Sequence, residues 1–124
     1  MEAKKEQAIE LLKKIFQALH EKRFGDIAKL VDTCTLDAQD IEECVQGTVE
    51  MNEFETMDTY REENICSIHE RESSAFEVDS YDSALEVDCY ITADGGNELP
   101  LVLSLRLENW ADGSVRTHLD MEPN

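Results

Sequence analysis

The sequence predicts an α+β fold, with two to three N-terminal helices packed on a curved antiparallel β-meander of four to five strands. Before about residue 50, apolar residues recur with the period of a helix, and from Ile65 the period changes to two. Glycine-containing turn sequences separate the later segments. Consecutive strands with short connections favour an antiparallel sheet whose helices cover one face. A chain of 124 residues fits one domain, which we expect to span 1–124.

The first helix is predicted over residues 3–22, where one face is apolar and the other is charged. The spacing of three and four residues is typical of a helix, and the stripe consists of Ala8, Leu12, Ile15 and Leu19. A second, short helix is predicted over 23–31, with Gly25 loosening its junction with the first helix.

The third helix is predicted to begin at Asp37, a good N-cap residue, and to run to about residue 50. Residues 51–64 leave two alternatives open. Phe54, Met57 and Tyr60 recur at threes, which fits either one more helical turn or an ordered loop.

Strands are predicted at 65–71, 74–80, 84–93, 99–109 and 114–121. The clearest alternation places Leu85, Val87, Cys89 and Ile91 inward and Glu86, Asp88, Tyr90 and Thr92 outward. The same pattern is repeated by Leu101, Leu103, Leu105 and Leu107, and by Val115, Thr117, Leu119 and Met121. Hairpin turns are predicted at 94–97 and 112–113.

The charge is unevenly distributed along the chain. The net charge is −18, and every lysine lies before residue 30. Such acidity disfavours nucleic acid and anionic membranes as partners, because both need a basic surface on the protein. It favours a basic protein partner, whose association the field would accelerate. The N-terminal stretch lacks the apolar core of a signal peptide, so we expect a cytoplasmic protein.

No constellation predicts catalysis, a metal or a cofactor. Cys66 and His69 have metal-ligand spacing, but a zinc site needs four ligands, and residues three apart on a strand point to opposite faces. A cysteine nucleophile would need an orienting group that the sequence does not show. We therefore expect no enzyme, no metal and free thiols at Cys34, Cys44, Cys66 and Cys89.

Two stretches, FQALHEKRFGDIAKLVD and ADGSVRTHLDM, together with the order of helices and strands, are similar to the NTF2-like superfamily of cone-shaped α+β domains. The resemblance implies one of several roles, because the superfamily includes isomerases, dehydratases, ligand binders, transport adaptors and immunity proteins that neutralise toxins. Its enzymes place an Asp, His or Tyr inside the cone. Here the inward positions of the two clearest strands carry apolar residues, which disfavours an enzyme.

The resulting prediction is a non-enzymatic acidic binding protein of the immunity or inhibitor type, which neutralises a cationic partner such as a toxin nuclease. Its partner-binding residues are expected to be Asp40, Glu43, Glu50, Glu53, Glu55 and Asp58 for charge, and Tyr60 or Trp110 for anchoring. Two alternatives stay open. One is a small-ligand pocket protein, with isomerase- or dehydratase-like activity as an extension. The other is an adaptor domain that forms a homodimer through its sheet.

Overall fold

The computed structural model describes residues 2–72, 81–110 and 112–123. Three helices in the N-terminal half pack with a five-stranded sheet, which confirms the predicted α+β class. The helices are α1 (Glu2–His20), α2 (Phe24–Leu30) and α3 (Ala38–Met51). The strands are β1 (Thr33–Cys34), β2 (Ile65–Glu72), β3 (Tyr81–Ala93), β4 (Asn97–Trp110) and β5 (Val115–Pro123).

The helices begin and end close to their predicted positions. The first helix ends at His20 and not at residue 22, since Lys22 takes a left-handed φ of 60° that an α-helix cannot contain. The third begins as predicted, because the Asp37 carboxylate accepts a hydrogen bond from the Asp40 backbone N–H at 2.8 Å. None of the described helices is both long and apolar enough to cross a membrane.

The sheet has the strand order β1-β5-β4-β3-β2, and β2 to β5 form the predicted antiparallel meander. The sheet is nevertheless mixed, because β1 pairs in parallel with β5, Thr33 lying opposite His118 and Cys34 opposite Leu119. A strand of two residues has no apolar period, so the sequence pattern did not predict it. The strand predicted at 74–80 lies outside the described residues.

The core lies between the helices and the inner face of the sheet. Its fully buried members include Leu12, Ile15, Leu19, Ile27, Ile41, Leu103, Leu105, Leu107 and Leu119. Two predicted exposures differ from the structure. Thr92, predicted to point outward, is buried, because Asn64 and Asp58 lie over it: its hydroxyl accepts a hydrogen bond from the Asn64 amide and donates to the Asp58 carboxylate. Val115 is 44% exposed, because it pairs with Asn109 beyond the last buried positions of both strands.

Residues 52–61 form a loop, so the predicted alternative of another helical turn is wrong. The loop is followed by one 3-10 turn at Glu62–Asn64. Met57 lies in the middle of the 52–61 loop, is buried, and forms an isolated β-bridge with Ala93 of β3. The ring of His20 holds the same residue from the helix side, since its Nδ1 donates to the Met57 carbonyl oxygen at 2.6 Å. The loop is thus fixed between α1 and the sheet.

Candidate partner-binding surface

The outer side of α3 is an acidic ridge, which we define as Asp40, Glu42, Glu43 and Glu50. All four side chains are exposed. The helix contains no Lys or Arg, while its opposite side is buried through Ile41, Val45 and Val49. At about 100° per residue, Asp40, Glu43 and Glu50 fall within roughly 80° of one another around the helix axis, opposite the buried residues, whereas Glu42 lies at the margin of the buried side. The sequence therefore places carboxylates across the exposed surface of α3.

Neutral amides, not cations, hold two of these carboxylates. Gln39 donates to Glu43 at 3.1 Å and Gln46 donates to Glu50 at 3.4 Å, each one helical turn away. Among the residues that the structure describes, no ridge carboxylate forms an ion pair. Among the described residues, no cation therefore lies within ion-pair distance of the ridge carboxylates, although Lys22 lines the same surface depression as Glu42 and Glu43.

The acidic surface continues past α3 through Glu53 and Glu55, both of which are exposed. The Glu53 backbone has a φ of 62° and turns the chain away from the helix axis. The backbone N–H of Glu55 is fixed, because it donates to the Asp94 carboxylate at 3.1 Å. Five of the predicted charge residues thus lie on α3 or directly after it.

Asp58 lies in the same loop, but its carboxylate is bound within the fold. It accepts hydrogen bonds from the backbone N–H groups of Gly95 and Gly96 at 2.8 and 2.7 Å, and from the Thr92 hydroxyl at 2.7 Å. Burial raises the pKa of the Asp58 carboxyl, but these hydrogen bonds, with the Arg61 charge, outweigh it and lower the pKa below its ordinary value. Asp58 holds the β3–β4 turn.

Asp94 makes the reciprocal contacts from that turn. Its carboxylate accepts from the backbone N–H groups of Glu55 and Thr56, and its own N–H donates to the Thr56 carbonyl at 2.8 Å. We call Asp58 and Asp94, with these partners, the loop clasp. The sequence analysis assigned Asp94 only to a hairpin turn. No local signal indicates that an aspartate will bind a loop almost 40 residues earlier.

Tyr60 also contacts the core, and is only partly accessible. Its ring centroid lies 6.4 Å from that of Phe16, with the ring planes tilted by 58°. Burial raises the pKa of the Tyr60 phenol. The ring is thus used to attach the loop to α1, which limits the area it offers to a partner.

Trp110 lies on the outer face of the sheet, opposite to the helices. Its indole N–H donates to Glu108 at 3.0 Å, and the Arg116 guanidinium stacks 3.8 Å from its ring centroid. Arg106 donates to the other oxygen of Glu108 at 2.8 Å. Arg116 lies opposite Glu108 in the pairing register, but its guanidinium forms an ion pair with Asp112 at 3.5 Å. A homodimer through this face stays a prediction.

The predicted partner-binding residues therefore fall into three groups. Asp40, Glu43, Glu50, Glu53 and Glu55 share the acidic surface around α3, Asp58 and Tyr60 face inward from the loop, and Trp110 lies across the sheet. The position of Trp110 on the outer face could have been predicted from strand alternation. Trp110 has the opposite parity to the buried leucines of β4, which place the helices on the other face.

The interior offers little to a reacting molecule. The described buried polar residues are Asn64, Thr92 and Glu108. The first two bind each other at 3.0 Å, and Glu108 lies on the outer face with Trp110. All four cysteines are free, and burial raises the pKa of the Cys89 thiol to about 12. The described ranges contain no group of three or more His, Cys, Asp or Glu residues arranged to hold a metal ion.

No protein-family model, curated protein or solved structure matches this chain. The resemblance to the NTF2-like superfamily accordingly stays a prediction from two stretches of sequence. Function has to be inferred from the chemistry of the surfaces just described.

Proposed function

We propose that this protein is a non-enzymatic acidic binding protein of the immunity or inhibitor type. Its acidic ridge would cover the basic, phosphate-binding surface of a cationic protein partner, such as a toxin nuclease. The observation that supports this most directly is that α3 contains no Lys or Arg and that its four exposed carboxylates form no ion pair among the described residues. Uncompensated charge of one sign costs stability through self-repulsion, and a partner of opposite sign removes that cost.

The length of the ridge suits a surface that binds a nucleic-acid backbone. From Asp40 to Glu50 the helix advances about 15 Å, at 1.5 Å per residue. One DNA strand carries a phosphate about every 3.4 Å of helix axis, so the ridge covers the axial length of roughly four phosphates. A basic groove that binds phosphates would therefore meet carboxylates over a similar distance.

The overall charge supports the same class of partner. The value of −18 exceeds the magnitude of about 2–8 that solubility requires in a small domain. A field of one sign raises association rates with an oppositely charged protein by roughly 10–10³-fold at low salt. Fast capture is what an inhibitor of a toxic enzyme needs.

The small-ligand alternative has less support. The space between helices and sheet is filled by leucine and isoleucine side chains that are almost completely buried. A general base inside a pocket would have to lie within hydrogen-bond reach of a substrate proton. The described inward positions of β3 and β4 carry apolar side chains, and the buried hydroxyl of Thr92 is already bound to Asp58.

The test is affinity capture from native lysate of the source organism, with quantitative identification of the retained proteins. The ridge variant is Glu43→Gln/Glu50→Gln. The control variant is Glu6→Gln/Glu70→Gln, which removes the same charge from exposed positions on α1 and β2. We expect the wild type and the control to retain a basic protein at about 50 mM salt and to lose most of it at about 500 mM. The ridge variant should retain several-fold less at the lower salt.

Two results would contradict the proposal. The first is that the wild type retains no basic protein at the lower salt. The second is that the ridge variant and the control variant retain the same amount, which would show that the position of the charge on α3 does not matter.

A further inference from the structure

Met51, the last residue of α3, carries the most exposed large apolar side chain among the described residues. It is 86% exposed. At about 100° per residue, its side chain lies roughly 160° around the helix axis from that of Val49, which is buried. The exposed carboxylates of Glu50 and Glu53 lie before and after it in the chain. The sulfur of Met51 is therefore open to solvent within the proposed partner-binding surface.

The other methionines among residues 2–72, 81–110 and 112–123 are enclosed by the core. Met57 is 4% exposed and Met121 is 8% exposed. A thioether reacts with an oxidant without first losing a proton, so the exposure of the sulfur largely decides how fast it is oxidised. An oxidant dissolved in water therefore reaches Met51 well before the other two.

The cysteine thiols differ from Met51, because cysteine reacts with an oxidant as the thiolate. Cys89 is buried, and burial raises the pKa of the Cys44 thiol. Cys66 is exposed, but partial burial of its sulfur and the charge of Asp88 raise its pKa, and its S–H donates to the Asp88 carbonyl oxygen at 3.3 Å. These three thiols are therefore kept protonated at neutral pH, which slows their oxidation.

Hydrogen peroxide converts an exposed thioether into a sulfoxide. The sulfur lone pair attacks one peroxide oxygen, the S–O bond forms as the O–O bond breaks, and the second oxygen leaves as water. Sulfur loses the two electrons that the peroxide gains. A flexible apolar side chain thus becomes a polar one with a strong hydrogen-bond acceptor, and a methionine sulfoxide reductase reverses the change. Because Met51 lies outside the buried core, its oxidation alters the surface and leaves the packing of α3 as it is.

We propose that Met51 is an oxidation site that regulates the binding of the cationic partner. The inference rests on the proposed function and adds a form of regulation to it. In the reduced protein, Met51 supplies an apolar contact between the carboxylates of Glu50 and Glu53. Methionine is enriched in the buried centres of interfaces, where charged residues are depleted. The sulfoxide oxygen needs a hydrogen-bond donor once water is removed, so its burial against an apolar partner surface weakens binding.

The site is tested by treating the whole chain with graded amounts of hydrogen peroxide and mapping its peptides by mass spectrometry. Met51 should be converted to the sulfoxide about tenfold faster, or more, than Met57 and Met121, as their burial requires. The circular dichroism spectrum should not change while Met51 alone is oxidised.

The regulation is tested with the basic protein that the untreated wild type retains from lysate at about 50 mM salt. Peroxide-treated wild type should retain several-fold less of it, and treatment with a methionine sulfoxide reductase should restore retention. Met51→Leu keeps an apolar side chain without sulfur, and should retain the same amount before and after peroxide. Met51→Gln should retain less without any peroxide, whereas Val115→Gln, at another exposed apolar position, should behave like the wild type.

Equal rates of oxidation at Met51 and Met57 would overturn the proposal. So would a Met51→Leu variant that loses as much of the basic protein after peroxide as the wild type does, because the loss would then arise at another group. The two hypotheses fail separately. If capture depends on the ridge while selective oxidation of Met51 leaves retention unchanged, only the regulation is wrong. If the untreated wild type retains no basic protein, the proposed function is wrong and the regulation is wrong with it.

Discussion

At the scale of single residues, the loop clasp shows two different uses of a carboxylate within a few positions. Glu55 is exposed and offers its charge to solvent, whereas Asp58 accepts two hydrogen bonds from the β3–β4 turn and one from Thr92 at the end of β3. Both carboxylates can accept hydrogen bonds, but only that of Asp58 lies beside the Gly95 and Gly96 N–H groups and replaces water as their acceptor.

Replacing Asp58 by asparagine should destabilise the fold. One of the acceptor oxygens becomes a donor, and the N–H of Gly95 or Gly96 loses its charged partner. We expect a loss of about 2 kcal/mol in the free energy of unfolding at neutral pH, within the usual range for a hydrogen bond to a charged group. Denaturant titration measures it, with Glu55→Gln as the control, which should change stability by less than about 0.5 kcal/mol.

The same pair of variants makes a prediction about pH. Because the pKa of Asp58 is lowered by folding, its stabilising effect is present above the unfolded value of about 3.9 and is lost as pH falls through the folded value. The difference in stability between wild type and Asp58→Asn should therefore be constant from neutral pH to about pH 5 and shrink below it. A difference that grows on acidification would contradict the clasp.

Residue-level outcomes were only partly predictable. Strand alternation separates exposed from buried positions, so Leu103 and Leu105 could be assigned to the core from the sequence. Nothing in the local sequence distinguishes Asp58 from Glu55, since the difference depends on a turn that lies 37 residues further along the chain. Contacts between residues so far apart in the chain leave no periodic pattern in the sequence from which they could be predicted.

At the scale of elements, local chemistry determined the helices and non-local pairing determined the edge of the sheet. The cap at Asp37 and the four-residue spacing from Ile41 are contained in the helix sequence itself. The pairing of β1 with β5 depends instead on a partner 85 residues away, and the contact of Thr33 with His118 could not be read from either segment. The shift in pairing register between Tyr90 and Thr92 likewise depends on the opposite strand, β4, and not on the sequence of β3 alone.

Gly47 gives a test of α3 as an element. It lies inside the helix, and an added Cβ would meet no atom within 4 Å. Gly47→Ala should raise the free energy of unfolding by about 0.5–1 kcal/mol, because alanine loses less backbone freedom on folding. Gly95→Ala is the contrast, since its φ of 85° strains any residue with a side chain and should lower stability. Chemical denaturation of both variants measures the two effects. Destabilisation by Gly47→Ala would contradict the open space around this position of α3.

At the scale of the whole molecule, charge and packing act against each other. The apolar layer between helices and sheet holds the fold together, while a net charge of −18 pushes its surface apart. Few ion pairs relieve the repulsion in the described residues, and several of those, such as Lys13 with Glu10, are solvent-exposed and weak. The stability of the free protein should consequently depend on ionic strength.

Raising sodium chloride from about 10 to about 500 mM shortens the screening length from roughly 30 Å to a few ångströms, and should stabilise the free protein. We expect Tm to rise by roughly 4 °C, the shift that about 1 kcal/mol produces in a domain near this size. Calorimetry on wild type and on Glu43→Gln/Glu50→Gln measures it, and the variant should show the smaller increase. A Tm that falls with salt would mean that attractive pairs outweigh repulsion.

The position of β5, last among the described elements but between β1 and β4 in the sheet, sets an order of events during synthesis. β5 follows every other described element along the chain, and until it emerges from the ribosome the neighbouring edge of β4 has no strand to pair with. An unpaired edge of a long central strand is a template for wrong association with other chains. The acidic segments between α3 and β4 are made before that moment, so a nascent chain carries most of its negative charge while its sheet is still open. We expect mutual repulsion between neighbouring nascent chains to oppose their association until β5 pairs with β4 and β1.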